Sequence, residues 1–374
     1  MRIEPFGVEI WMNEWETRCA HNLAETCVES LTVAGLLEIC GQNANDLSAL
    51  MPIRLGYGAI PGSERLRAAI AATHERQTPE NIVVTHGTIG ANMLVHRALV
   101  ERGDRVISIV PTYQQHHSIP ASIGADVRLL HLRPEHGWLP DLDALRELAT
   151  PGTQLIALTN PNNPTGALIP REMLEQIAAI ARQAGAWVLC DEVYRGLDQE
   201  GSGTTTSMAD LYEKGISTCG MSKAYALAGL RLGWVVAPPE VIEAVMIQRD
   251  YDTISVGVLD DHLATLALEN RDRILSRSRR ITRGNLDILS DWIRREPRLG
   301  FVRPRSGTTA LVKVDSPLDS RAFCIALLKE TGVMFTPGSA MGMEGYVRIG
   351  FANAPQALQQ GLPLVSRFLS GMGA

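Results

Sequence analysis

Between residues 81 and 190 the chain repeats one pattern: a short apolar run, then a longer stretch that separates it from the next. NIVVT (81–85), RVISIV (105–110), DVRLLHL (126–132), QLIALT (154–159) and AWVLC (186–190) are dominated by Val, Ile and Leu. Apolar runs this short, with little polar alternation, fit strands buried on both faces. Before the last of them, REMLEQIAAIARQAG (171–185) repeats apolar residues at helical spacing, starts after Pro170 and stops at Gly185, which are start and stop signals of an amphipathic helix. Strand and helix in alternation predict an α/β fold, a mostly parallel sheet flanked by helices. Ligands of such sheets sit beyond the carboxyl ends of the strands, so the residues that follow each run are the first candidates for function.

Downstream the pattern changes. No proline occurs between Pro239 and Pro297, and most of that length is expected to be helical, a connector leaving the large domain. GFVRPRSGTTALVKV, RAFCIALLKETGVMFTPG and GYVRIGFA predict a smaller α+β domain. The expected organisation is an N-terminal arm (1–44) packed with the small domain, a large domain (45–245), and the connector with the small C-terminal domain (246–374). A net charge of −6 gives no electrostatic case for nucleic acid or an anionic membrane. No apolar run reaches the 18 or more residues of a membrane span. Glu4 and Glu9 stand where a signal peptide needs a basic region and an apolar core, so the chain is expected to be mature from residue 1 and cytoplasmic. The six cysteines form no CxxC pair, so free thiols are expected rather than disulfides or zinc.

Four segments follow strands or stand among small residues. THGTIGAN (85–92) turns from NIVVT into a helical pattern; free N–H groups there suit an anion, and Thr88 adds a hydroxyl, although a plain tight turn has the same sequence. TNPNNPTGALIP (159–170) fixes its backbone with Pro161, Pro164 and Gly166 around Asn163, which an ordinary turn also does. CDEVYRGLD (190–198) places Asp191 and Glu192 at a strand end, where a carboxylate serves a metal, a base, a protonated ring nitrogen, or solvent alone. GMSKAYALAGLRLG (220–233) holds one lysine, Lys223, eight positions before Arg231; taken alone, that is also a turn with two surface cations. GSGTTTS (201–207) reads as a loop. The adjacent His116 and His117 lack the spacing of a helical metal site and no metal is expected; Trp11 and Trp15 read as a packing stripe, and Cys190 and Cys219 as core.

Taken together and in order, YGAIPGSERLR, THGTIGAN, PTYQQH, NPNNPTG, DEVYRG, GMSKAYALAGLRLG and YVRIGFA resemble the class I/II aminotransferases, the fold-type-I enzymes dependent on pyridoxal 5′-phosphate. The resemblance implies that Lys223 forms the Schiff base with the cofactor aldehyde and acts as the catalytic base. It implies that Arg231, the Gly87–Thr88–Ile89 turn and Ser222 hold the phosphate, and that Asp191 keeps the ring nitrogen protonated. Tyr194 and Asn163 match residues that bond the ring oxygen, Tyr113 the aromatic stacked on the ring, and Arg348 the arginine that binds the substrate α-carboxylate. Tyr57 matches a tyrosine that reaches the phosphate of a neighbouring subunit, which implies a homodimer with shared active sites. Many members carry a phosphate-binding serine where this chain has Gly220. The implied activity is transfer of an amino group from an amino acid to a 2-oxo acid by a ping-pong mechanism. WMNEWETRCAHNLAE, PTYQQ and the RGLD after Tyr194 resemble, more loosely, guanidino-amino-acid enzymes of this fold such as capreomycidine synthase and the arginine oxidases. That resemblance leaves open a non-transaminating reaction (oxidation, cyclisation, lyase chemistry) on a basic amino acid such as arginine, with Glu16 meeting the cationic side chain. A ligand-sensing domain of a transcription regulator is disfavoured, because only about 50 residues precede YGAIPG.

Overall fold

The structure is a computed structural model that describes residues 2–43, 48 and 50–372; the boundary expected between residues 44 and 45 lies outside them. All five apolar runs are strands: β1 (Ile82–His86), β2 (Arg105–Val110), β3 (Asp126–His131), β4 (Thr153–Thr159) and β5 (Trp187–Asp191). Two more, β6 (Gly215–Gly220) and β7 (Leu232–Val236), were not among the expected runs. GISTCG carries no run of large apolar residues, yet every one of its residues is buried. The sheet order is β1-β7-β6-β5-β4-β2-β3. Only β7 runs against the others, antiparallel to both β1 and β6.

Burial on both faces follows from the two-residue period of a strand. In β4, Leu155 and Ala157 enter one core with Val95, Val235 and Val245, while Ile156 and Leu158 enter another with Ile177 and Ala181. The first core is covered by α2 (Gly87–Leu99) and α4 (Pro239–Asp250), the second by α3 (Arg171–Ala184). The stretch expected to be helical after Pro239 is three helices: α4, α5 (Val258–Glu269) and α6 (Arg271–Ile293). The break lies at 251–257, where Ile254 has φ +58°, a left-handed conformation that a β-branched residue adopts only under constraint.

A four-stranded antiparallel sheet, order β10-β11-β9-β8, is built from β8 (Leu299–Phe301), β9 (Thr309–Val314), β10 (Thr336–Pro337) and β11 (Tyr346–Gly350). Its core includes Phe323 and Leu327 of α7 (Ser320–Thr331) and Val365 and Phe368 of α8 (Pro355–Gly371). The same core takes Trp11 from α1 (Gly7–Trp15) and Leu23 from the segment that follows. Trp11 is fully buried, lies 5.9 Å from the Trp15 ring, and donates Nε1–H to the Phe335 carbonyl at 2.9 Å. Truncating such a side chain to Ala costs roughly 3–5 kcal/mol, so the arm is fastened rather than loosely draped. Among the described residues no helix is long and apolar enough to cross a membrane.

Candidate active site

The segments beyond the strands converge. Lys223 follows β6, Asp191 ends β5, Asn163 follows β4, Tyr113 follows β2, and α2 starts directly after β1. Arg231 precedes β7; because β7 runs backwards, its start lies beside the carboxyl ends of its neighbours. A cavity of about 310 Å³ is lined by Lys223, Asp191, Tyr194, Asn163, Tyr113, Thr88, Ile89, Ser222, Arg231, Arg348 and Glu16. Gly87 opens α2 beside it. Tyr57 does not reach this cavity: it is 72% exposed and lines a separate concavity with Val256 and Val258.

The start of α2 is shaped by close backbone approach. Gly87 has φ +66°, and a Cβ on Gly233 would lie 2.4 Å from the Gly87 carbonyl carbon, so the β7 backbone fits against this turn only as glycine. Thr88 Oγ1 is buried without a partner at a helix N-terminus whose first N–H groups carry partial positive charge. The Arg231 Nη2 lies 3.0 Å from where a Gly87 Cβ would stand. The departure at Gly220 has a steric cause. A Cβ there would sit 2.6 Å from Thr88 Oγ1 and 2.9 Å from the Leu232 carbonyl oxygen, so the Thr88 side chain occupies the room a residue-220 side chain needs.

Asp191 is 3% exposed, and each of its oxygens accepts one hydrogen bond. Asn92 Nδ2 donates to its Oδ2 at 2.8 Å, and the Val193 N–H to its Oδ1 at 3.1 Å. Asn92 is itself oriented by Thr218, whose hydroxyl donates to Asn92 Oδ1 at 2.6 Å. The buried His116 Nε2 stands 3.7 Å from Asp191 Oδ2, and its Nδ1 lies 3.3 Å from His96 Nε2. Sequence reasoning assigned His116 no role in the site; the fold places it beside the carboxylate.

The arm completes the cavity. The segment 24–27 and α1 bring Glu25, Thr26, Cys27, Val8, Glu9 and Met12 to its wall. The Tyr113 hydroxyl donates to Glu9 Oε1 at 2.8 Å, and the Phe6 ring lies 4.8 Å from the Tyr113 ring. Lys223 Nζ donates to Thr26 Oγ1 at 2.6 Å and to Cys27 Sγ at 3.3 Å. Burial would push the Lys223 ammonium down, but Cys27, Tyr194 and Glu25 beside it outweigh burial and hold it up. Burial pushes the Cys27 thiol and the Tyr194 phenol up, so both are neutral at pH 7 and Glu25 is the charge that counts. Burial likewise pushes Glu25 up, yet Lys223 and the N–H groups of Cys27 and Thr26 bring it below the usual carboxylate range. Glu16, first by burial and then by repulsion from Glu25, is raised. Buried Arg348 spreads its donors over Asn163 Oδ1 (3.2 Å), the Ala24 carbonyl (3.4 Å) and Thr336 Oγ1 (3.3 Å), with Nε unpartnered. Burial lowers its pKa, but a guanidinium starts high enough to stay charged.

Residues 35–361 match the family model for aminotransferase class I and II. A pyridoxal-phosphate-dependent aminotransferase from Streptococcus suis superposes over the whole of both chains with a TM-score of 0.96 and 41% identity. Capreomycidine synthase of Streptomyces vinaceus is 32% identical over 97% of this chain and 93% of its own. The pyridoxal-phosphate-dependent cyclase OrfR superposes with a TM-score of 0.91 at 26% identity, covering 100% of this chain and 99% of its own. The match spans an apolar alternation, a lysine turn and a carboxylate at a strand end that the geometry had already brought to one cavity, and the chain belongs to the class I and II aminotransferases, enzymes dependent on pyridoxal 5′-phosphate.

Proposed function

We propose that the chain is an amino-acid:2-oxo-acid aminotransferase whose cavity between α2, β5 and the arm holds the cofactor. The observation that carries this reading is that one cavity contains an amine (Lys223), a strand-end carboxylate (Asp191) and a buried guanidinium (Arg348). The cradle fits a phosphorylated pyridine. Buried Thr88 Oγ1 lacks a partner, the α2 N–H groups face the same place, and Arg231 lies beside Gly87; together with Ser222 they are a donor set for a phosphate dianion. When bound, pyridoxal phosphate supplies an aldehyde that takes up the amino group and a cationic ring that draws electrons from the substrate Cα.

Each residue then has a task. Asp191 holds a proton on the ring nitrogen, oriented by Asn92. Tyr194 and Asn163 bond the ring oxygen, and Tyr113, fixed by Glu9 and Phe6, covers the ring face. Arg348 binds the substrate carboxylate through two of its nitrogens. Lys223 Nζ, once released, moves the Cα proton as general base and acid. Tyr57 serves the phosphate of a second copy. The exposed Met51 (80%), Leu55 (78%) and Tyr251 (87%) support burial of that surface in a homodimer.

The preferred donor is a basic or large polar amino acid. Glu9 and Glu16 line the cavity, Glu25 being already held by Lys223, and a carboxylate in an enclosed pocket is costly until it meets a cation. A second reading has a specific observation in its favour: capreomycidine synthase and a cyclase are similar over nearly the whole chain, so a non-transaminating reaction on a basic amino acid is the alternative. One experiment separates them. The holoenzyme is given a basic amino acid without any 2-oxo acid. A transaminase stops after one equivalent of oxo acid per site and resumes when an acceptor is added. Repeated turnover without an acceptor would sink the aminotransferase reading.

A further inference from the structure

An amine that carries a proton has to be aimed, because its last C–N bond turns freely and a wrongly turned lone pair misses the Cα–H. Around Lys223 Nζ the nearest polar atom belongs to none of the sequence motifs. It is Thr26 Oγ1, at 2.6 Å. The next is Cys27 Sγ at 3.3 Å, a weak acceptor. The Thr26 side chain also stands beside Tyr194. A hydroxyl has one hydrogen and two lone pairs. One of those lone pairs takes the Nζ–H.

Thr26 is held from several sides. Its N–H donates to Glu25 Oε1 at 2.8 Å, and its carbonyl accepts from the Thr308 hydroxyl at 2.7 Å. The preceding residues are wedged against β11. The Gly350 N–H donates to the Leu23 carbonyl at 2.8 Å, and a Cβ on Gly350 would stand 1.8 Å from the Glu25 oxygen. Arg348, also on β11, donates to the Ala24 carbonyl at 3.4 Å. The strand that carries the carboxylate-binding arginine thus also fixes the hydroxyl on the lysine.

We propose that Thr26 is a positioning residue of this enzyme: its hydroxyl accepts from Lys223 Nζ, holding the released amine with its lone pair aimed at the substrate Cα. The proposal rests on Lys223 being the proton-carrying amine. It adds that the arm, and not only the large sheet, sets the direction of proton transfer. No bond other than the Cα–H and N–H bonds of that transfer changes, and Thr26 ends the cycle with the hydrogen it began with.

The test compares Thr26→Val, which keeps the shape and removes the hydroxyl, with Thr26→Ser, which keeps the hydroxyl. Loss of one hydrogen bond to a charged or proton-carrying group should slow the half-reaction of Thr26→Val by about 10- to 100-fold, with KM for the donor nearly unchanged. The isotope effect with an α-deuterated donor should rise, since Cα–H removal becomes more limiting, and Thr26→Ser should restore both. A second readout needs no turnover: the pH titration of the cofactor absorbance in substrate-free holoenzyme should shift in Thr26→Val and not in Thr26→Ser. A shifted titration without any transamination product would refute the aminotransferase reading and leave the Thr26 contact standing. Val and Ser variants that both match the parent in rate, isotope effect and titration would overturn the proposal, as would a Ser variant as impaired as the Val variant.

Discussion

Gly220 offers a sharp test of the phosphate cradle, because intuition from the family points the wrong way. Restoring the serine that many members carry there should weaken cofactor binding in this chain. A Cβ at residue 220 would lie 2.6 Å from Thr88 Oγ1, 2.9 Å from the Leu232 carbonyl oxygen and 3.1 Å from Gly233 Cα. Two of those three contacts are backbone, held by the β6–β7 pairing of Gly220 with Gly233, so they cannot swing aside. Overpacking of this kind typically costs 1–3 kcal/mol, roughly 5- to 150-fold in an equilibrium constant. The cost falls on cofactor affinity because the atom pushed first is Thr88 Oγ1, which is buried and unpartnered in the cradle. The assay is a cofactor titration of dialysed protein followed by absorbance, with Tm measured in parallel. Gly220→Ser should raise Kd by that factor and lower Tm. In a Thr88→Ala background the same change should cost less, since one clash is gone, giving a coupling of about 1 kcal/mol between neighbours. A Gly220→Ser protein that binds cofactor as tightly as the parent, with unchanged Tm, would refute the steric account.

Lys223→Ala should lose the cofactor label that borohydride reduction otherwise fixes to residue 223, checked by peptide mass spectrometry; a label on another lysine would remove Lys223 from its role. Asp191→Asn should fold and bind cofactor but lose several kcal/mol of barrier lowering, at about 1.4 kcal/mol per tenfold in rate, so single-turnover rates near the parent's would dismiss it as the ring-nitrogen partner. Glu16→Gln should narrow the advantage of arginine and lysine over aspartate and leucine as donors in kcat/KM, and an unaltered ranking, or aspartate or leucine as best donor, would count against the acidic wall. His74 makes its contact with Ile70 O through Nδ1 and has a buried, unpartnered Nε2; burial first, then Arg195, depress its pKa to about 4. The unfolded histidine therefore takes up its proton first as pH falls, and stability is lost from about pH 6.5 down to about pH 4, by up to about 3 kcal/mol. His74→Phe should flatten that part of the pH dependence in urea denaturation, and an unchanged slope would assign the acid loss elsewhere.

The large sheet was legible where its strands are apolar, because burial on both faces leaves a run of Val, Ile and Leu. It was not legible at β6, where Ser217 and Thr218 are buried and Thr218 is satisfied by Asn92; tertiary hydrogen bonding there replaces the apolar signal. The helical stretch after Pro239 read as one connector because Asp252, Thr253 and Ser255 are not strong breakers, and only the fold shows the chain turning through Ile254. The polar neighbours of Asp191 and Lys223 were hidden for a different reason. Asn92, His116 and Thr26 come from other elements, and nothing in a single sequence links them to their partners.

The lysine turn was readable because its geometry is local. β6 and β7 pair antiparallel, with Gly220 opposite Gly233 and Cys219 opposite Trp234. Residues 221–231 are therefore the connection between two adjacent strand ends, and its length sets how far Lys223 stands from Arg231. Gly233 must be glycine because β7 presses on Gly87, and Gly220 because β6 there presses on Thr88 and on β7 itself. A motif whose spacing and two glycines are fixed by one strand pairing carries its own constraints in sequence. The arm shares no such crossing with the lysine. It is tied to β11 through Leu23 and Gly350, to the small core through Trp11, and to the lysine turn through the Leu31 N–H, which donates to the Ala226 carbonyl at 2.9 Å. Substitutions on the strand crossing should therefore act on cofactor binding, and substitutions on the arm on proton transfer and donor choice, which is the division that Gly220→Ser, Thr26→Val and Glu16→Gln separate.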